Sequence, residues 1–449
     1  MNAPSFEDDP RTRVVRRLRQ AAEYRIVVLL AAAGFGKSIA LRQFLETLDG
    51  SARVDVTPGM KAADFAARLS AVLNADTCAT VAVDGLEGLA EPDEAVAKLV
   101  ESIERTKAQR RWVISTRSAA GLPLGTWIAY RDCELVIGGA DLQYARDEIV
   151  EAGLRLGFGL GDEEIDDIAA LTEGWPLAVG VALRAALHGH GRDRLQAEVR
   201  EAASRFYRET VYPRLTGDER SLLAVAAALP EIDVRILELA GLPRANETLE
   251  KLRERTTLLA DGPDGTYHCL GLFRSFLRRQ CELGGSGEIG RVYLSAARGL
   301  EAAGRVNDAL DAFINAKAQS DVLRLLEQSG FDLLERGQSS AIGRAVDVLS
   351  EPDRRLNPHV LALRGVLQSL AGDVISAEAL LRRALGGAQN LPRLTSAVSI
   401  RLALILTNQG REIDELLKPV ANDVARSAAD RAEAWSLMAA RSALAGSPT

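Results

Sequence analysis

The chain contains few of the residues on which covalent or metal chemistry usually depends. It has four cysteines and four histidines in 449 residues. The histidines show no metal-ligand spacing, and the pair His188 and His190 falls in a predicted loop without further ligands. The cysteines are scattered without CxxC spacing, at Cys78, Cys133, Cys269 and Cys281. This pattern disfavours a disulfide scaffold and predicts buried, reduced thiols in a cytoplasmic protein.

Long apolar runs and an excess of basic charge are also missing from the sequence. No stretch of about 18 apolar residues is found, which argues against a membrane-spanning helix. The net charge of −7 argues against a chain that wraps nucleic acid over a large surface. One arginine-rich segment, Arg11–Arg25, interleaves its arginines with apolar residues at helical spacing. We interpret it as the solvated face of an amphipathic helix, with contact to a nucleotide or a partner as the alternative.

The most informative segment lies near the start of the chain. The apolar run Ile26–Leu30 leads into a loop of small residues ending in Gly-Lys-Ser, and helical spacing follows. This is the strand–loop–helix context of a phosphate-binding P-loop, although Ala31 occupies the position of the usual first glycine. Lys37 would reach the β- and γ-phosphates, while backbone N–H groups and the helix N-terminus would face phosphate oxygens. The predicted nucleotide-binding residues are Ala33, Gly34, Phe35, Gly36, Lys37 and Ser38.

Two further predicted strands place polar residues at their carboxyl ends. Thr77–Asp84 ends in a carboxylate that would hold Mg²⁺ opposite the P-loop hydroxyl. Arg111–Ser115 leads to Arg117, which would reach a γ-phosphate; a solvated loop arginine is the alternative. With a closing strand over Cys133–Ile137, strands and helices alternate as in a parallel sheet with right-handed crossovers. We therefore predict an α/β P-loop NTPase domain over residues 1–140.

The middle of the chain is predicted to be mainly helical. Helical segments separated by glycines and polar breaks predict a helical domain over residues 141–205. A helix over Phe206–Leu229 and a hairpin signal at Asp261–Gly265 predict a winged-helix domain over residues 206–285. One helix of this domain carries basic residues that suit an exposed face better than a DNA-reading one: Lys251, Arg253 and Arg255.

The last part of the chain carries a repeat. Four glycines recur at intervals of 33, 35 and 38 residues, each between two apolar helical segments: Gly304, Gly337, Gly372 and Gly410. Paired helices with a period near 34 predict a tetratricopeptide-like solenoid over residues 286–449. Such an array would bind a partner or small ligand on its concave surface, or act as a rigid spacer. Since no polar capping helix precedes Thr449, we expect the array, or a further domain, to continue.

In this order, the motifs resemble those of the MalT-type signal-transduction ATPases with numerous domains (STAND), which include large LuxR-type transcriptional regulators. Alanine often occupies the first glycine position of the P-loop in that family. The second half of the resemblance, with Thr-Glu-Gly-Trp-Pro-Leu followed by Leu-Phe-Arg-x-Phe-Leu, is more specific than the P-loop. The matching segments are Ala33–Ser38, Val81–Asp84, Ile114–Arg117, Thr172–Ala178 and Leu272–Arg279.

The resemblance implies an AAA+/STAND-like switch that binds ATP or ADP with Mg²⁺. Ser38 and Asp84 would hold the metal, Asp84 and Arg117 would serve catalysis, and Pro176 would pack near the adenine. ADP would hold the first three domains together, whereas ATP and a small-molecule or protein inducer at the repeats would open them for self-association. DNA would be bound only through a C-terminal helix-turn-helix that these residues do not contain.

Two departures from the family pattern bear on hydrolysis. Gly85 stands where a second acidic residue usually follows the Walker B aspartate, and Glu87 has the wrong spacing for a simple substitution. Leu270 and Gly271 replace a histidine pair, with His268 displaced by two residues. We therefore expect at most a slow ATPase. The alternatives are a degenerate nucleotide-binding scaffold that gathers partners without binding DNA, and an ordinary P-loop enzyme, for which no second catalytic constellation is found.

Overall fold

The computed structural model describes residues 11–75, 78–134, 136–256 and 259–444. It divides into two compact units. The first comprises the chain up to Ala227 together with Glu231–Val234 and Leu242–Leu283. The second comprises Ala228–Pro230, Arg235–Gly241 and the chain from Gly284 onward. No helix among the described residues combines the length and apolar character needed to cross a membrane.

A parallel sheet forms the centre of the first unit. Its strands lie in the spatial order β1-β4-β3-β2, so β4 separates β1 from β3. Strand β3 is buried throughout, as apolar runs in parallel sheets usually are. Because all four strands run in one direction, their carboxyl ends meet at one edge. The strands are β1 (Ile26–Leu30), β2 (Ser51–Asp55), β3 (Thr80–Asp84) and β4 (Arg111–Thr116).

Five helices connect and cover these strands, with Phe65, Trp112 and Trp127 fully buried in the core between them. The first helix buries Val14 and Leu18 and exposes Arg13, Arg16 and Arg19, as expected of an amphipathic helix. The prediction of a solvated face is wrong for Arg11, which precedes the helix and is buried because its guanidinium donates to the Leu142 carbonyl. The helices are α1 (Thr12–Ala21), α2 (Lys37–Leu45), α3 (Ala62–Leu73), α4 (Pro92–Thr106) and α5 (Leu124–Ala129).

The predicted closing strand Cys133–Ile137 is found only in part. Cys133 and Ile137 form isolated parallel bridges with β1, on the side away from β4, and Leu135 lies outside the described residues. Thr77, the predicted start of β3, also lies outside them. The prediction of buried thiols is wrong for Cys78, which is half-buried because it lies in the loop before β3 rather than in it. The other three cysteines are buried and all four are free.

A helical segment follows the sheet. The prediction of one continuous helix over Phe206–Leu229 is wrong, because a π-helical turn (Tyr207–Val211) and a 3₁₀ turn (Tyr212–Arg214) interrupt it. Pro213 in the second turn has no N–H to continue the helical hydrogen bonds. The helices are α6 (Gly139–Leu142), α7 (Arg146–Arg155), α8 (Asp162–Thr172), α9 (Pro176–Leu187), α10 (Arg192–Phe206) and α11 (Gly217–Ala228).

A small antiparallel sheet with strand order β5-β7-β6 comes next. The predicted hairpin is confirmed, because Leu259–Asp261 pairs with Tyr267–Cys269, while Thr257 and Leu258 lie outside the described residues. The preceding helix exposes Lys251, which pairs with Glu247, as expected of a solvated face. The elements are β5 (Ile232–Asp233), α12 (Val234–Leu239), α13 (Ala245–Thr256), β6 (Leu259–Asp261), β7 (Thr266–Cys269) and α14 (Gly271–Leu283).

The second unit is a run of antiparallel helix pairs. Each of the four periodic glycines follows the end of a helix, and its own φ is positive, between 73° and 86°. At Gly304, N–H groups of Gly304 and Arg305 donate to Glu301 and Leu300 carbonyls, which is a Schellman motif that requires a left-handed residue. The helices are α15 (Ser286–Ala302), α16 (Val306–Asn315), α17 (Gln319–Glu335), α18 (Ser339–Val348), α19 (Glu351–Leu356), α20 (Pro358–Leu370), α21 (Val374–Gly387), α22 (Pro392–Asn408), α23 (Asp414–Asn422) and α24 (Ala428–Leu444).

Candidate phosphate-binding site

The loop between β1 and α2 has the backbone shape that the P-loop prediction requires. Gly34 and Gly36 have φ values of 82° and 73°. Gly36 is the residue that precedes the first turn of α2, so the helix N-terminus opens directly onto the loop. Among the described loop residues only these two glycines have positive φ, so alanine at position 31 is accommodated without strain.

Lys37 is buried in the loop that it would serve. Its Nζ donates to the carbonyl oxygens of Ala31 at 2.6 Å and Ala32 at 3.1 Å. Burial lowers the pKa of Lys37 to about 8, an effect that nearby Glu87 opposes. The ammonium group is therefore mostly protonated at neutral pH, and an anionic ligand in the loop would stabilise its charge.

Asp84 lies at the carboxyl end of β3 and is buried. Its Oδ2 accepts a hydrogen bond from Arg53 Nη2 at 2.9 Å, across the neighbouring strand β2. Ser38 is exposed in the first turn of α2. A hydroxyl and one carboxylate are oxygen donors of the kind that Mg²⁺ takes together with waters and substrate phosphates, so the residues fit this metal. The described residues hold no cluster of three or more acidic, histidine or cysteine side chains that would suit an all-protein metal site.

Arg117 is held in place rather than solvated. Its Nε lies 2.6 Å from Glu87 Oε1, and its backbone N–H donates to Glu87 Oε2 at 3.3 Å. Burial lowers the pKa of Arg117, and Glu87 opposes this effect. Because β4 lies beside β1, Arg117 follows the strand adjacent to the P-loop strand. The position is thus compatible with a γ-phosphate contact.

Sequence spacing alone did not assign Glu87 a place in the site. The structure brings it there through Gly85, which has a φ of 83° and starts the 3₁₀ turn Leu86–Gly88. This turn holds the Glu87 carboxylate beside Arg117. A glycine directly after the strand, followed by an acidic residue two positions later, is the signal that could have indicated this.

The segment Thr172–Leu177 packs directly on the loop. A Cβ added to Gly34 would lie 2.8 Å from Trp175 Nε1, and one added to Gly36 would lie 3.8 Å from the Pro176 Cβ. The Leu177 N–H donates to the Gly34 carbonyl at 3.2 Å. The predicted binding residue Pro176 therefore sits beside the loop, as the start of α9.

A cavity of about 490 Å³ adjoins the loop, within the usual size range for small-molecule sites. It brings together loop residues, the start of α6, the Trp175 region and β7 with the start of α14. Two of its lining side chains, Trp175 and Tyr207, have a buried polar atom without a partner among the described residues. The loop contributes Ala32, Ala33 and Phe35, and the β7–α14 segment contributes His268, Cys269, Leu270 and Phe273.

Glu173 links the two sides of this cavity. Its carboxylate accepts hydrogen bonds from His268 Nε2 at 3.0 Å and from the Gly271 N–H, at the start of α14, at 2.6 Å. Trp175 stacks on Tyr207 with ring centroids 5.1 Å apart, and Tyr207 contacts Phe273 at 4.9 Å. Sequence reasoning identified the motif that contains Glu173 and Trp175 but not these contacts.

Comparison with known proteins gives low similarities. No protein-family model matches the chain. The chain is 23% identical over 381 residues to the serine/threonine-protein kinase PknK of Mycobacterium tuberculosis and, equally, to that of Mycobacterium bovis. That alignment covers 74% of this chain but only 34% of PknK, so the chain spans about a third of the length of the curated relatives it matches.

Two solved structures are similar at TM-scores below 0.5. The Walker-type ATPase PABY2304 of Pyrococcus abyssi has a TM-score of 0.48 and 15% identity, covering 62% of this chain and 99% of that one. The STAND protein PH0952 of Pyrococcus horikoshii, which has a tetratricopeptide repeat sensor, has a TM-score of 0.40 and 16% identity. The alignment with PH0952 covers 98% of this chain and 69% of PH0952.

Proposed function

We propose that the chain is an ATP-binding signalling switch of the STAND type. The observation that carries the proposal is the loop itself. The loop between β1 and α2 combines the buried Lys37, two glycines with left-handed φ and the N-terminus of α2. This arrangement provides main-chain N–H donors and a cation for phosphate oxygens.

Within this proposal each side chain has a defined task. Lys37 leaves the Ala31 and Ala32 carbonyls and turns to the β- and γ-phosphates. Ser38 and Asp84 would hold Mg²⁺, and the metal would neutralise charge on those phosphates. The γ-phosphate of ATP attracts the Arg117 guanidinium away from Glu87. With ADP, which has no γ-phosphate, Arg117 stays paired with Glu87.

The aromatic contacts supply a route from the loop to the rest of the first unit. Trp175 touches the P-loop glycine, stacks on Tyr207 and reaches Phe273 in α14 through it. Glu173 fixes the start of the same helix through Gly271. A change of phosphate that shifts the loop therefore biases the position of α14, which is the two-state element such a switch requires.

The finer assignments extend this proposal. Residues 206–285, with their three-stranded sheet, form a winged-helix domain. The helix pairs of the second unit bind the inducer, and ATP-bound chains self-associate. Transcription is regulated through a DNA-binding domain that these residues do not contain.

The proposal is tested by equilibrium binding of ATP and ADP, followed by light scattering for self-association. Lys37→Ala should lose both ATP binding and ATP-dependent assembly. Lys98→Ala is the matched control, since Lys98 is a half-buried lysine on α4 that pairs with Glu94, away from the loop. If the unmodified chain binds neither nucleotide at millimolar concentration, the proposal fails.

A partner-gathering scaffold is the second candidate. Its support is an apolar strip on the second unit, where Leu370 and Ile375 are 68% and 84% exposed on either side of the Gly372 turn. A scaffold would assemble partners in the Lys37→Ala variant as well as in the unmodified chain. Nucleotide-independent assembly would therefore favour it.

A further inference from the structure

Arg53 lies on the edge strand of the parallel sheet, next to the candidate metal site. Arg53 and Asp55 are two residues apart on β2 and so point to the same face. In the pairing with β3, Asp55 lies directly opposite Asp84. The Arg53 guanidinium contacts both carboxylates, at 2.6 Å from Asp55 Oδ1 and 2.9 Å from Asp84 Oδ2.

The two ion pairs differ in their environment. The Asp84 side chain is 7% exposed, whereas that of Asp55 is 61% exposed. Attraction between charges weakens with solvent exposure, so Arg53 is held mainly through its bond to Asp84. The positively charged Arg53 guanidinium thus already pairs with the Asp84 carboxylate, which the proposed function assigns to Mg²⁺.

From this geometry we propose that Arg53 competes with Mg²⁺ for Asp84, and that Asp55 receives the guanidinium when the metal binds. The inference rests on the proposed function. Arg53 acts as a positioning residue: it touches neither nucleotide nor metal, but determines how strongly Asp84 attracts the metal. Nucleotide binding is then only weakly dependent on Mg²⁺, because Asp84 does not face the phosphates as a bare negative charge.

A purely structural role makes a different prediction. Two carboxylates directly opposite each other on neighbouring strands repel, and an arginine between them relieves that repulsion. In that case removing Arg53 would lower the stability of the sheet, but it would leave the effect of Mg²⁺ on nucleotide affinity unchanged. The metal dependence of binding therefore separates the two roles.

The experiment measures the Kd of a fluorescent ADP analogue with the full chain, once in EDTA and once in saturating Mg²⁺. The quantity compared is the ratio of the EDTA value to the Mg²⁺ value. Arg53→Gln should raise this ratio at least tenfold, which corresponds to about 1.4 kcal/mol. Asp55→Asn should lower it by roughly threefold, because the guanidinium loses its exposed alternative partner.

Arg68→Gln is the matched control. Arg68 is an exposed arginine on α3 whose guanidinium donates to the Asp55 carbonyl at 3.3 Å, and its removal should leave the ratio unchanged. An unchanged ratio in a folded Arg53→Gln variant would overturn the inference. If that variant does not fold, Asp55→Asn decides: a lowered ratio supports the competition and an unchanged ratio refutes it. Failure of the unmodified chain to bind ADP in either buffer would instead refute the proposed function.

Discussion

The buried position of Lys37 predicts that nucleotide affinity and protein stability change in opposite directions with pH. Burial lowers the pKa of Lys37 from 10.5 to about 8 in the free protein. A bound phosphate would raise it again, because an adjacent anion favours the protonated amine. Affinity should therefore be constant below the free pKa and fall above it. At pH 9 only about a tenth of Lys37 is protonated, so ADP should bind roughly tenfold more weakly than at pH 7.

The stability of the free protein follows the opposite sign. The pKa of Lys37 is lower in the folded chain than in the unfolded one, so between pH 8 and 10.5 the unfolded chain binds more protons. Stability therefore rises with pH across this window. The difference between 10.5 and about 8 corresponds to a gain on the order of 3 kcal/mol.

The Lys37→Met variant isolates these effects from other groups that titrate at high pH. Fluorescence anisotropy with labelled ADP and urea unfolding would be measured from pH 7 to 10 in both proteins. In the variant, affinity should be weak and independent of pH, and the rise in stability should disappear. Equal pH slopes in the two proteins would refute the assignment of a neutralisable lysine to the loop.

Three further predictions use the same site and the helix repeats. Gly34→Ala should abolish ADP binding and lower the unfolding free energy by about 2 kcal/mol, because Gly34 has a left-handed φ and the added Cβ would lie 2.8 Å from the Trp175 indole. Gly59→Ala is the control, since Gly59 has a similar φ but open space around it, and this variant should keep ADP binding. Equal losses of ADP binding in the two variants would contradict the reasoning. Glu87→Gln should raise the preference for ATP over ADP severalfold in competition binding, because Arg117 loses its charged partner; an unchanged preference would count against γ-phosphate sensing. Gly304→Ala should lower the unfolding free energy by about 1 kcal/mol in urea titrations without altering nucleotide affinity.

Features that depend on residues close together in the sequence could be predicted from it. The strand, loop and helix around Lys37 follow from local spacing, and the periodic glycines end helices because each occupies a left-handed position after the last turn. The bond between Arg53 and Asp84 could not be predicted, because it depends on which strands lie side by side. The contact of Glu87 with Arg117 likewise depends on the turn after β3.

Contacts between segments that are far apart in the sequence account for the remaining differences between the predictions and the structure. Trp175 stacks on Tyr207, which begins the π-helical turn after α10, whereas the apolar pattern there is equally compatible with a continuous helix. The motif around Trp175 could be recognised in the sequence, but its position against Gly34 required the fold.

The hydrogen bond from Leu177 to Gly34 has a practical consequence for dissecting the protein. The shape of the loop after β1 is set partly by the first turn of α9, which comes much later in the chain. A fragment that stops at the end of the sheet would leave one face of the loop uncovered and one of its carbonyls without a donor. The smallest fragment that retains nucleotide affinity should therefore extend beyond α9.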